Sequence, residues 1–302
     1  MNEKISNLAQ IASIRRYTLT EGRGRGLDVI ECDTGKLRFL LNVSKALDVM
    51  QTYHCGENVS FLSKNAFTAA QTPFINRFEG GMIYTCGLDS AGRRDGYELH
   101  GSLHNIPAEI LRAECNADGI TVEGVVRDTA LFGKNLALYR KFTAAIGAES
   151  FTLEDTLVNE GFAESEYCIL YHINVGYPML DAGDEIVAEI NEACPASEWA
   201  KARQGEMLRI GEPKIGEEET CYYLDLKKPE ISLKNPKKGS ALSVRYSADT
   251  LPCFLLWKSM ASGDYAVGLE PCTSRIGDQL EPKTIGAGER VCFRVTVGID
   301  KV

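Results

Sequence analysis

Phe151-Thr152-Leu153-Glu154-Asp155-Thr156-Leu157-Val158, closed by Asn159-Glu160-Gly161, is the stretch that decides the fold class. Phe151, Leu153 and Leu157 take odd positions, and the residues between them are mostly polar. A period of two is the mark of a strand with one face in a core and one in water. Asn159, Glu160 and Gly161 supply the turn chemistry that ends it. Working outward, residues 36–43, 220–226, 241–246 and 290–297 are rich in β-branched and aromatic side chains, and Gly or Pro stands near most of them. They predict further strands. Helical spacing is confined to residues 185–193 and 196–204, with residues 1–13 read as a helix or a strand-leading arm. Helices do not alternate regularly with strands, which argues against a doubly wound sheet or a TIM barrel. Many short strands between turns argue for an all-β sandwich or barrel. The polar stretch 227–240 reads as a solvated loop or hairpin. No internal repeat or low-complexity linker divides the chain, so residues 1–302 are expected to form one domain with long or numerous strands.

Composition narrows the class. The chain is 44% hydrophobic and 25% charged, and its 33 basic and 42 acidic residues give a net charge of −9. Apolar residues spread over the whole length exclude disorder as the main state. The acidic balance, without a basic tract, argues against nucleic acid or an anionic membrane as partner. No uncharged apolar run reaches the roughly 18 residues of a membrane span. Met1-Asn2-Glu3-Lys4-Ile5-Ser6 has no apolar core and does not read as a signal peptide. The ten cysteines include no CxxC pair and read as reduced thiols of a cytoplasmic protein.

Chemistry-bearing residues are few. Of four histidines, His100 and His104 stand in Leu99-His100-Gly101-Ser102-Leu103-His104. Their spacing would suit zinc on a helix, but Gly101 and Asn105-Ile106-Pro107 oppose a helix and no Glu lies between them. His104 reads as structural. Glu21-Gly22-Arg23-Gly24-Arg25-Gly26 lacks the ending of a phosphate loop and reads as a bulge or surface loop. Arg77, before Gly80-Gly81, either presents planar donors to hydroxyls or a carboxylate or is an ordinary exposed arginine. His172, on the apolar run 167–171, is either a satisfied core histidine or a catalyst. Asn174 shares its strand face. Glu270 closes an apolar strand before Pro271, and a lone buried carboxylate there needs partners. Trp257 is either core or a stacking wall for a sugar ring.

Taken together, Asn76-Arg77-Phe78-Glu79-Gly80-Gly81, Thr85-Cys86-Gly87-Leu88, Leu99-His100-Gly101 and Gly268-Leu269-Glu270-Pro271, in this order, resemble the aldose 1-epimerase (galactose mutarotase) superfamily, and most of all a less characterised bacterial branch of it. The resemblance runs from about Gly35 to the C-terminus, since residues 47–49 and 56–61 also look like its early strands. It implies a supersandwich of long antiparallel strands with a cleft on a concave sheet face. It implies interconversion of the α and β anomers of an aldose or modified hexose, with Glu270 as base and His172 as acid. His100 and Arg77 would hold hydroxyls, and Asp225 is the candidate for the family's substrate-binding aspartate. No cofactor or metal is implied. The partner would be a small sugar, and the chain a monomer or homodimer. Where the typical family member has Leu-His-Gly-Gly and His-x-Tyr/Phe-Phe-Asn-Leu, this chain has Leu99-His100-Gly101-Ser102 and His172-Ile173-Asn174-Val175-Gly176. The departures leave the acid/base pair intact and the sugar open. The rivals are a noncatalytic carbohydrate-binding protein on the same fold and a β-sandwich related to polysaccharide lyases or glycosidases.

Overall fold

In a computed structural model, which describes residues 3–302, the alternation at residues 151–158 becomes a ten-residue strand in which every second side chain is buried. A first sheet is a meander of β1 (Ser13–Thr18), β2 (Asp28–Asp33), β3 (Leu37–Asn42), β4 (Asp48–His54) and β5 (Glu57–Asn58). There follow β6 (Tyr84–Leu88), β7 (Glu109–Asn116), β8 (Gly119–Thr129), β9 (Asn135–Ala144), β10 (Ser150–Asn159), β11 (Ser165–Gly176), β12 (Glu185–Val187) and β13 (Ile190–Pro195). The chain continues with β14 (Thr220–Leu226), β15 (Glu230–Asn235), β16 (Ser240–Tyr246), β17 (Cys253–Ala261), β18 (Asp264–Cys272), β19 (Lys283–Ile285) and β20 (Arg290–Lys301). Eight of these strands form a sheet in the order β12-β15-β16-β20-β10-β9-β8-β7. The other large sheet runs β13-β14-β17-β18-β11-β19, with β6 also paired to β11. The only α-helices among the described residues are two short ones, α1 (Phe74–Arg77) and α2 (Glu198–Ala202). The fold is thus the all-β sandwich of antiparallel strands that the period-two pattern predicts.

The two large sheets face each other across the main core. Phe151, Leu153 and Leu157 of β10 meet Tyr167, Ile169, Tyr171, Ile173 and Val175 of β11 within it. Rings cross the gap between sheets, as where Tyr171 stands 6.5 Å from Phe293 of β20. The opposite face of β11 is buried too: Cys168 and Leu170 join a second apolar cluster with Tyr84, Cys86, Leu255 and Cys272. That double burial explains why residues 167–171 are an unbroken apolar run rather than an alternating one.

Residues 185–193 correct the sequence reading. Their helical spacing yields instead β12 and the start of β13, because Ile186 is buried opposite Leu233 while Glu185 and Val187 face water. Pairing with a neighbouring strand overrides a weak local propensity. Residues 198–202 of the other stretch are helical, with Ser197 as N-cap accepting from the Ala200 amide. Leu8–Gln10 is a single 3-10 turn leading into β1. Met1 and Asn2 lie outside the described residues.

Asp155 breaks the apolar phase of β10, and it does so on the buried face. The Arg140 guanidinium of β9 holds it through two bonds of 3.0 and 3.1 Å. Arg140 also donates to Asp48 of β4 (2.6 Å) and to Thr85 of β6 (2.9 Å), and the Tyr171 hydroxyl of β11 donates to Asp155 (2.7 Å). His104 contacts Asp48 at 2.7 Å. Burial by itself would raise the Asp48 carboxyl, but Arg140, His104 and Thr85 hold it below its ordinary value. Burial opposes a charge on His104, yet Asp48 and Glu79 raise its pKa. One guanidinium therefore ties all three sheets together.

Arg140→Met should cost about 3–5 kcal/mol, because it strands two buried carboxylates. Urea denaturation of the purified variant checks this, and a loss below about 1 kcal/mol would show that the network is incidental to stability.

Candidate active site

Strand register brings the two distant motifs together. In β11 and β18, Leu170 pairs with Cys272 and Ile173 with Leu269. The same register sets His172 opposite Glu270. Neighbouring strands extend this into a row, Tyr84, His172, Glu270, Leu255 and Tyr223, across five strands. The adjacent row is Asn174, Gly268, Trp257 and Cys221. Gly268 has a steric reason. A Cβ there would stand 2.1 Å from Glu270 Oε1 and 3.1 Å from the Trp257 ring, so the missing side chain leaves room for both.

From these rows His172, Glu270, Leu255, Trp257 and Cys221 floor a cleft of about 800 Å³. His172 Nδ1 lies 3.2 Å from Glu270 Oε1, but the groups are not aligned for a hydrogen bond, and neither carboxyl oxygen of Glu270 has another partner. The carboxyl is wholly buried and no described cation or N–H engages it, so its charged form has no solvation. Burial, with Glu219 adding to it, raises the Glu270 pKa well above the carboxylate range. Burial and then His100 push the His172 imidazole down to about 3. Burial therefore disfavours the charged form of each group, raising the carboxyl and lowering the imidazole, so the surroundings do not favour an ion pair at this contact.

Aromatic rings surround this contact. Trp257 stands edge-on to His172 at 5.3 Å, Phe78 lies at 5.4 Å and His100 at 5.8 Å, while Phe74 packs on His100 at 4.8 Å. The Trp257 indole donates to Glu219 (2.7 Å), which fixes the ring plane. His100 adopts a left-handed φ of +63°, a strained choice for a residue with a side chain. Gly101 follows at +80°, where a Cβ would stand 2.3 Å from the Gly87 carbonyl oxygen. The turn is held from both sides: the His100 amide donates to Gly92 O (3.0 Å), and the Gly92 amide donates to His100 Nδ1 (3.3 Å). With Nδ1 accepting and burial lowering its pKa to about 4, His100 is a neutral imidazole whose proton sits on Nε2.

Of the residues singled out from sequence, His100, His172, Trp257 and Glu270 line this cleft. Three do not. Arg77 ends α1 turned inward behind the wall formed by Phe74, Ile75 and Asn76, where it pairs with Glu98 (2.9 Å) and donates to Thr72 O. Asn174 shares the His172 face but is wholly buried, and its amide donates to the His172 carbonyl (2.9 Å). Asp225 lies farther along β14 than Cys221, in a separate depression with Glu192 and Cys194, and accepts from Asn191 (3.1 Å). Sequence reasoning missed Phe61, Phe74, Glu219 and Cys221, which carry no motif and reach the cleft only through folding. Phe78 stood within a quoted motif without being singled out. Among the described residues no group of three His, Cys, Asp or Glu side chains is placed to hold a metal ion. No helix there is long and apolar enough to cross a membrane.

Residues 24–291 match the family model described as domain of unknown function DUF4432. The chain belongs to the DUF4432 family. None of the curated proteins matches it. Among solved structures, this DUF4432 member superimposes on a Klebsiella pneumoniae subsp. pneumoniae MGH 78578 protein provisionally named an aldose 1-epimerase. The TM-score is 0.87 at 22% identity, over 95% of this chain and 83% of that one. A galactose mutarotase-like protein from Clostridium acetobutylicum gives 0.75 at 14% identity, over 97% and 100%. Another from Lactobacillus casei ATCC 334 gives 0.64 at 12%, over 90% and 100%. These likenesses show the fold, a galactose mutarotase-like sandwich.

The neutral His172 has a consequence for stability. Its folded pKa is depressed below the ordinary value near 6.5, so its contribution is present above about pH 6.5 and is lost as pH falls toward 3. His172→Gln should therefore lose less melting temperature than wild type between pH 7 and pH 4. Equal acid sensitivity of the two proteins would contradict a depressed His172.

Proposed function

We propose that this chain is a mutarotase that interconverts the α and β anomers of an aldose or modified hexose by acid/base ring opening and closing. The observation that carries the reading is the facing pair His172 and Glu270, 3.2 Å apart on the floor of an aromatic cleft. Anomer exchange needs one group to take the proton of the anomeric hydroxyl and another to give a proton to the ring oxygen. A facing acid and base meet both needs without net uptake or release.

The directions in which burial shifts the two groups, His172 down and Glu270 up, favour the opposite assignment of roles from the one the family resemblance implies. Neutral His172 takes the anomeric proton while the Glu270 acid protonates the ring oxygen. The ring opens to the aldehyde, the bond between the first two carbons rotates, and both protons return as the ring closes on the other face. His100 donates from Nε2 to a sugar hydroxyl, and Trp257 and Phe78 offer apolar faces to the ring. Arg77 and Asn174 act through position: Arg77 backs α1, and Asn174 ties down the His172 carbonyl. The scheme uses no metal or cofactor, and one domain of this fold suffices for it.

Glu270→Gln and His172→Gln should each lower the turnover number by about two to four orders of magnitude. Wild type should show a bell-shaped pH profile. Because His172 is pushed down and Glu270 up, protonation of His172 sets the acid limb and ionisation of Glu270 the alkaline limb. Anomer exchange measured by NMR for a panel of sugars, across pH, tests this. A folded Glu270→Gln variant with wild-type exchange rates would dismiss the pair, and wild type that binds sugars but accelerates no exchange would leave a binding protein.

A further inference from the structure

We infer, resting on the cleft's assignment as a sugar site, that the sugar carries an acidic substituent, a carboxylate, phosphate or sulfonate, recognised by Arg93. The cleft wall bears five charged side chains besides Glu270, and four are engaged. Lys64 and Asp264 pair with each other at 2.7 Å. Glu217 is held by Arg203 at 3.3 Å, and Glu219 accepts from the Trp257 indole. Arg93 alone among them has no partner among the described residues, in a chain of net charge −9. Its neighbour shows that this is not the habit of the loop. Arg94 bonds to Asp89 O, pairs with Glu166 and stacks on Tyr97.

The Arg93 side chain is exposed, but the backbone that carries it is firmly placed. Gly92 O accepts from the Ser90 hydroxyl and the His100 amide, Gly92 N donates to His100 Nδ1, and Ala91 O accepts from Gly277 N. Gly92 is pressed so close to the 276–277 turn that a Cβ would stand 2.8 Å from the Gly277 nitrogen. The backbone from which Arg93 springs is thus locked to the His100 turn. Arg93 and His100 line the same cleft, so a sugar held at His100 occupies the space that the guanidinium borders. A planar fork of donors suits an oxyanion, and a neutral hydroxyl would use little of it. Glu217 and Glu219 would repel that anion elsewhere, and the other wall cation, Lys64, is already paired with Asp264, which leaves Arg93 as the favoured position. A cleft of about 800 Å³ leaves room for such a group beside one ring.

The test compares sugars that differ only in the acid: glucose with glucuronate, glucose 6-phosphate and 6-sulfo-6-deoxyglucose, at constant ionic strength. Binding is measured by calorimetry and anomer exchange by NMR, for wild type, Arg93→Met and Arg93→Lys. Wild type should bind at least one acidic sugar roughly tenfold or more tightly than glucose, the scale of one hydrogen-bonded charge. Arg93→Met should erase that ratio, and Arg93→Lys should restore part of it. Whichever acid shows the preference identifies the substituent. If no acidic sugar is preferred, or if the preference survives in Arg93→Met, the inference falls, even where exchange of glucose proceeds. If Arg93-dependent binding appears without any exchange, the inference stands and the catalytic reading of His172 and Glu270 fails instead.

Discussion

The Arg140 guanidinium is the interaction on which the rest of the structure depends. It lies in the interior between the large sheets and reaches Asp155, Asp48 and Thr85, one group from each of the three sheets or the strand appended to them. A buried ion pair is a weak source of net stability compared with apolar packing. Its value here is positional. Tyr171, anchored on Asp155, immediately precedes His172 in β11, and Thr85, anchored on Asp48, pairs with Tyr171 across β6. A one-residue slip of β11 would turn His172 into the core and Tyr171 into the cleft. The ionic network makes that slip costly, so the register that sets His172 against Glu270 is fixed from the far side of the sheet.

Much of this was legible in the sequence, for identifiable reasons. The runs at residues 151–158 and 290–297 became strands because burial on one face dictates alternation, while the aromatic-rich run at 220–226 became a strand buried on both faces, Tyr222 in the main core and Tyr223 in the second cluster. Asp155 hid the network, since a carboxylate in the buried phase reads locally as one polar residue among several. His172 and Glu270 were legible because their residue types are expensive in apolar strands without a task. Arg77, Asn174 and Asp225 were not correctly placed, because sequence gives a residue's type and its phase along a strand but not the position of a wall. Arg77 ends a single helical turn whose preceding residues face the cleft, so one step in the chain moves the side chain from solvent to interior. Asn174 has the right strand face but lies in the next row, where its amide is taken by backbone. Arg93 carried no motif at all, and only the engagement of every other charge on the cleft wall makes it conspicuous.

The cleft's chemistry follows from what surrounds the pair rather than from the pair alone. Aromatic rings and neighbouring strands remove water from His172 and Glu270, and no described cation repairs the loss. The charged forms of both groups are then disfavoured. A sugar hydroxyl entering such a site meets an acid and a base that need not shed hydration before they act. Burial that is costly to the empty protein thus readies the groups for proton transfer.

The position of β20 bears on how the molecule is made. Residues 290–301 insert between β10 and β16, in the middle of the eight-stranded sheet rather than at its margin. Until a ribosome has synthesised and released that segment, β10 and β16 each present an unpaired edge, and the Val295 and Val297 share of the core is missing. The nascent chain therefore passes through a stage with two sticky edges and an open sandwich, the kind of intermediate that chaperones guard and that aggregates when they are scarce.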